Sequence, residues 1–158
     1  MKRIINNIAL LALGLGASIN LNAQVTTDPP EYQDPTTELK IIVDISKFDA
    51  SLEHVQNLQA DAAAGLDLYI WTWSPAEHQD PHPLVNGVGT APWKESNEAL
   101  KMTKEAENIY TYTLTPTEFY EVDAQTVFAN DISFLVKPKD GGGYGDPDRK
   151  STDVTIPI

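Results

Sequence analysis

The segment Asp67 to Trp73, DLYIWTW, is the strongest local constraint on how this chain can fold. Aromatic and branched residues favour extended backbone, and the run stops at Ser74-Pro75. Alternation gives it two faces, with Leu66, Leu68, Ile70 and Thr72 on one and Asp67, Tyr69, Trp71 and Trp73 on the other. A central strand of a sandwich can have both faces covered, one by the facing sheet and the other by a long loop. Such a loop follows, from Pro75 to Pro92, and loops of this length in a compact domain are usually functional or disordered.

Other short runs repeat the period of two. Leu39, Ile41, Val43 and Ile45 alternate in LKIIVDIS, Tyr110, Tyr112 and Leu114 in Ile109 to Leu114, and Ile132, Phe134 and Val136 in Ile132 to Lys137. Ala99 to Thr103 and Asp153 to Ile158 are predicted as further strands, with a turn over Glu105 to Asn108. Helices are predicted to be short. Asp49 or Ser51 would cap one carrying Leu52, Val55 and Leu58 or Gln59, ending in Ala60 to Gly65. Thr115, Pro116 and Glu118 have the spacing of a capping box, and Asp123 would cap a turn through Phe128. Short strands with only single-turn helices between them predict an all-β, antiparallel immunoglobulin-like β-sandwich with one or two short helices.

The chain ends set the expected domain boundaries. Lys2 and Arg3 precede an apolar stretch from Ile4 to Ile19, and Leu21-Asn22-Ala23 precedes Gln24, the pattern of a signal peptide over residues 1–23. Its apolar core is about a dozen residues, short of the roughly 18 a spanning helix needs, so no membrane insertion is expected after cleavage. Residues 24–38, rich in Pro, Thr and acid, predict a flexible leader, leaving residues 39–158 as the sandwich domain. Loss of Lys2 and Arg3 takes the formal charge from −12 to −14. Such an acidic surface repels phosphate backbones and anionic lipid heads, which argues against nucleic-acid partners. Without cysteine, the chain has neither disulfides nor a thiol for lipid attachment.

Four constellations have chemical potential. Trp71, Trp73 and Trp93, with Tyr144, could stack against sugar faces if exposed, or the tryptophans could simply fill the core. In the glycine loop, Asp140, Asp146 and Asp148 could converge on a structural calcium, although a wide hairpin turn explains the glycines equally simply. Glu77, His78, Asp80 and His82 crowd the proline-rich loop and could bind zinc or copper, but Pro81 and Pro83 do not pre-arrange metal ligands and no second cluster completes four positions, so a solvated loop is expected. The acid pairs Glu118 with Glu121 and Asp146 with Asp148 are what any chain with 23 acidic residues contains. No nucleophile elbow, zinc-protease helix or cofactor motif is present, so no enzyme activity and no organic cofactor are expected.

LYIWTW (68–73), PWKESNEALKMTK (92–104), NIYTYTLTPTEFYEV (108–122) and ISFLVKPKDG (132–141) together resemble a group of domains from exported Bacteroidota surface proteins. The resemblance implies an immunoglobulin-like or starch-binding-type sandwich that is non-catalytic and binds glycan. The expected function is therefore an exported, periplasmic, cell-surface or extracellular module for polysaccharide. The alternative is a structural or adhesive subunit that assembles with other surface proteins through sheet edges, with the leader as a tether.

Overall fold

The computed structural model describes residues 23–158. Of the expected export signal, only Ala23 falls within that range.

Among the described residues, seven strands form two antiparallel sheets. The first sheet has the order β1-β2-β5-β4, from β1 (Val25–Asp28), β2 (Leu39–Asp44), β4 (Thr103–Ala106) and β5 (Ile109–Leu114). The second has the order β3-β6-β7, from β3 (Leu68–Ser74), β6 (Ile132–Pro138) and β7 (Val154–Ile156). Register turns the sequence alternation into layers. Leu39, Ile41 and Val43 of β2 lie opposite Leu114, Tyr112 and Tyr110 of β5, while Leu68, Ile70 and Thr72 of β3 lie opposite Pro138, Val136 and Phe134 of β6. Leu39, Ile41, Val43, Leu68, Ile70, Phe134 and Val136 belong to one buried cluster to which both sheets contribute. The fold is all-β with few short helices, and among the described residues no helix is long and apolar enough to cross a membrane.

Several expectations are corrected in detail. The segment predicted to be a flexible leader contributes β1, whose Val25 and Thr27 face Val43 and Ile41 across the ladder. Its composition offers little to bury, but backbone bonds to the open edge of β2 need no apolar side chain. Tyr32 then locks the segment, being buried and donating from its hydroxyl to the Thr37 carbonyl at 2.6 Å. Pro35 O accepts from Thr117 N at 3.0 Å.

The first helix, α1 (Glu53–Ala63), has 11 residues, ends within the expected stretch and buries Val55, Leu58 and Ala62, while Leu52 stays outside it. Its cap position is Leu52, without a side-chain bond. Asp49 Oδ1 instead accepts from Ser51 N at 2.9 Å in the turn before. The predicted strand at Ala99 to Thr103 slides to β4, because Asn97 Oδ1 accepts from Ala99 N at 3.0 Å and caps a 3-10 turn over Glu98–Leu100. The expected turn correspondingly contracts to Glu107 and Asn108, with Asn108 at φ 62°. Helix α2 (Pro116–Phe119) starts where expected, but the Thr115 side chain makes no capping bond; its carbonyl accepts from Glu118 N and Phe119 N. Asp123 caps α3 (Ala124–Asn130) through Thr126 N at 2.7 Å.

Candidate functional site

The outward side of β3 and β6 carries a second layer. Register places Tyr69 opposite Lys137 and Trp71 opposite Leu135. Tyr69, Leu135 and Lys137 are buried, yet none belongs to the main core cluster. Tyr69 and Lys137 are covered by the chain from Pro92 to Lys101, a 3-10 turn over Pro92–Lys94 and another over Glu98–Leu100. Two backbone bonds fasten this strap to the end of β6: Ser96 N donates to Lys139 O at 3.1 Å, and Gly141 N to Trp93 O at 3.1 Å. Lys101 bridges Tyr69, and Met102 N donates to Leu68 O at 2.8 Å.

At the centre of this layer lies the Lys137 ammonium, with the side chain fully buried. Among the described residues, no carboxylate lies within ion-pair distance of it. Instead it donates to Ser96 Oγ at 2.6 Å and to the carbonyls of Pro138 and Lys139 at 3.0 Å each. Two indoles complete the enclosure, with ring centroids 5.3 Å (Trp71) and 5.0 Å (Trp93) from Nζ. Negative ring faces stabilise a cation that has lost its water. Burial pushes the lysine down to about 8, against the pull of the more distant Asp140 and Glu95.

Trp71 and Trp93 meet edge to face, with centroids 4.9 Å apart and planes at 67°. Trp93 Nε1 donates to Gly141 O at 3.0 Å. Gly141 has to be glycine here, since a Cβ would lie 2.8 Å from Lys137 Cε and from Trp93 Cε2 and Nε1. None of Trp71, Trp73 and Trp93 is buried in the core; each is half-buried. Trp73 is the extra residue of a bulge, since Thr72 pairs with Phe134 while Ser74 pairs with Ser133. Bulges re-aim side chains at sheet margins.

The glycine loop brings its aspartates to separate tasks. Asp140 Oδ1 accepts from Gly142 N at 2.8 Å, and Asp146 forms an ion pair with Lys94 that holds its carboxyl below the usual range. The Asp148 carbonyl accepts from Asn57 Nδ2 at 3.0 Å, on α1. Among the described residues, the side chains close enough together to share an ion are His78, His82 and Glu121, not these three aspartates. Reciprocal bonds between Gly143 and Asp146, 3.0 Å each, close a tight hairpin with Tyr144 at its tip. Tyr144 is 73% exposed and follows Gly143, where an added Cβ would lie 3.1 Å from Trp93 Cδ1.

The loop from Pro75 to Pro92 is tied down by a residue that sequence reading passed over. Asn86 is buried; its Oδ1 accepts from Thr72 N at 2.9 Å, and its Nδ2 donates to Thr72 O at 2.7 Å and to Glu77 Oε1 at 2.9 Å. One side-chain amide thus stands in for the missing neighbour strand of β3, immediately before the Trp73 bulge. Trp71, His78, Asn86 and Gly87 help line a depression of about 210 Å3 beside it. Of the four loop residues with metal-ligand chemistry, His78 and His82 come together and Glu77 turns to Asn86, while Asp80 is exposed and outside the group.

Comparison with protein-family models, curated proteins and solved structures finds no match to this chain.

Proposed function

We propose that the chain is an exported, non-catalytic binding module for polysaccharide, with Trp71, Trp73 and Trp93 as its stacking residues. The observation that carries this reading is the half-buried Trp71–Trp93 pair, held in place by Lys137 and Gly141. Rings held in place before the ligand arrives lose little conformational freedom on binding, and the surfaces of half-buried indoles remain available to sugar C–H groups. Tyr144, exposed at the tip of the glycine hairpin, would extend this surface.

The fold reading behind it is immunoglobulin-like. Lettered in chain order, the strands run A-B-E-D in one sheet and C-F-G in the other, the order of a seven-strand immunoglobulin-like sandwich. Here Trp71 of the third strand faces the outer layer, and there is no inter-sheet disulfide for it to cover.

Affinity electrophoresis in a panel of polysaccharides tests the proposal. Retardation by one of them, weakened in Trp73→Ala and Trp93→Phe, is the expected result; no retardation by any, or equal retardation in both variants, overturns it. Phenylalanine at 93 keeps a ring over Lys137 and so limits structural damage.

A second reading, a structural subunit that assembles through sheet edges, is favoured by one feature. The edge strands β1 and β7 of the two sheets line a common groove of about 400 Å3, with Val25, Tyr32, Val154 and Ile156 among its walls. Co-purification from the native envelope would reveal a partner there, and a strictly monomeric, partnerless protein removes this reading.

A further inference from the structure

The geometry assigns a divalent transition-metal site, of zinc type, to His78, His82 and Glu121, where the proline-rich loop meets the segment between α2 and α3. One ligand atom from each residue lies within 4.8 Å of the other two. His82 Nε2 is 3.3 Å from Glu121 Oε1, close to the edge of a tetrahedron with ligand bonds of about 2.0–2.2 Å. Glu121 is brought here by a left-handed backbone at φ 54°, just after α2. Both histidines are half-buried, so their lone pairs are partly shielded from water.

An independent observation concerns the proton of one ring. His78 Nε2 lies 2.6 Å from the Phe119 carbonyl, which can only accept, so Nε2 carries the proton and Nδ1 keeps its lone pair. A ring N–H anchored on a backbone carbonyl is the support that metal-binding histidines commonly have, because it fixes tautomer and orientation and raises the basicity of the ligating nitrogen. Two imidazoles and one carboxylate suit zinc, copper or nickel, and leave one position of a tetrahedron for water or another ligand. They do not suit calcium or magnesium, which require mostly oxygen ligands.

The present arrangement also sets a limit on affinity. The two rings lie parallel, 3.7 Å apart at 11°, so one must turn before both lone pairs aim at a common ion. His82 Nδ1 accepts from Leu84 N at 3.1 Å, so coordination through Nε2 moves the ring proton to Nδ1 and sacrifices that bond. Binding is therefore weaker than at a preformed site. A bound ion would fasten the loop that carries Asn86 and forms one wall beside Trp71 to the α2–α3 crossover.

The chain lends itself to a clean test because it has no cysteine and only three histidines, the third being His54 outside the group. The full exported chain, untagged and stripped with chelator, is titrated with Zn2+ by calorimetry, with Co2+ absorption as a second readout. The expected result is one ion per chain, with affinity reduced about tenfold or more in Glu121→Gln and in His82→Gln. His54→Gln should bind as the parent chain does, and excess Ca2+ or Mg2+ should not compete. No saturable binding, or equal affinity in the parent, Glu121→Gln and His82→Gln, overturns the site. Glu121 is exposed, so its isosteric variant keeps the test valid even if His82→Gln folds poorly.

Discussion

The inner and outer faces of β3 and β6 are built from the same two strands, and both are largely buried, yet they follow different rules. On the inner face Leu68, Ile70, Val136 and Phe134 need little more than matching volume, the requirement of an apolar core. On the outer face Trp71, Trp93, Ser96 and the carbonyls of Pro138 and Lys139 surround an ammonium, so every oxygen and ring around Lys137 has to be in place. The apolar face tolerates substitutions that conserve shape. The polar one depends on direction, because a displaced acceptor leaves a buried charge without compensation.

The largest effect should come from the inner face. Phe134→Ala, at a fully buried position between both sheets, should lower unfolding free energy by about 3–5 kcal/mol in urea titration. Loss of less than about 1 kcal/mol would mean that this face is looser than its burial implies. Next comes Gly141→Ala. Its new methyl must displace either the Trp93 indole or the Lys137 methylenes, an overpacking cost of about 1–3 kcal/mol. Tryptophan emission should shift to the red as Trp93 leaves its contact with Trp71. An unchanged spectrum and midpoint would show that the strap over β6 moves freely.

These two faces also differ in how far the sequence reveals them. Alternation in LKIIVD, LYIWTW, IYTYTL and ISFLVK identifies β2, β3, β5 and β6 and which residues point inward, because one face of each packs on the common core. The same alternation puts Trp71 and Lys137 outward, but it carries no information about what lies over them. That cover comes from Pro92 to Lys101 and from Gly141, joined to β6 by backbone bonds that leave no local pattern. β1 escapes notice for a related reason, since it contributes edge hydrogen bonds and, of its side chains, only Val25 packs against the core. Asn86 and Glu121 are ordinary loop residues until the fold brings them to Thr72 and to His82, 39 positions away in the last case. The tryptophan density was the readable signal of the outer layer; the lysine at its centre was not.

Titration offers a way to sharpen the contrast, because Lys137 gives the outer face a pH dependence that the inner face lacks. Its folded value of about 8 lies below the 10.5 of a free lysine. Between those values the unfolded chain holds a proton that the folded chain has released, so stability rises with pH. Below about 8 both states carry the charge and the burial penalty is fully present. The slope should approach at most about 1.4 kcal/mol per pH unit. Urea midpoints from pH 7.5 to 9.5 should show it, and Lys137→Met should flatten it. An equal slope in the variant would locate the titration elsewhere.

The smallest effect is expected at Tyr144, and its smallness is useful. The ring is 73% exposed, and alanine at φ 54° carries the same left-handed backbone strain as tyrosine, so Tyr144→Ala should change stability by less than about 0.5 kcal/mol. Any change in polysaccharide retention in this variant then reports on contact with the ligand rather than on the fold. Weaker retention would extend the binding surface from the Trp71–Trp93 pair across the glycine hairpin. Unchanged retention would confine it to the rings held over Lys137, where ligand contact and the structural demands of the outer face coincide.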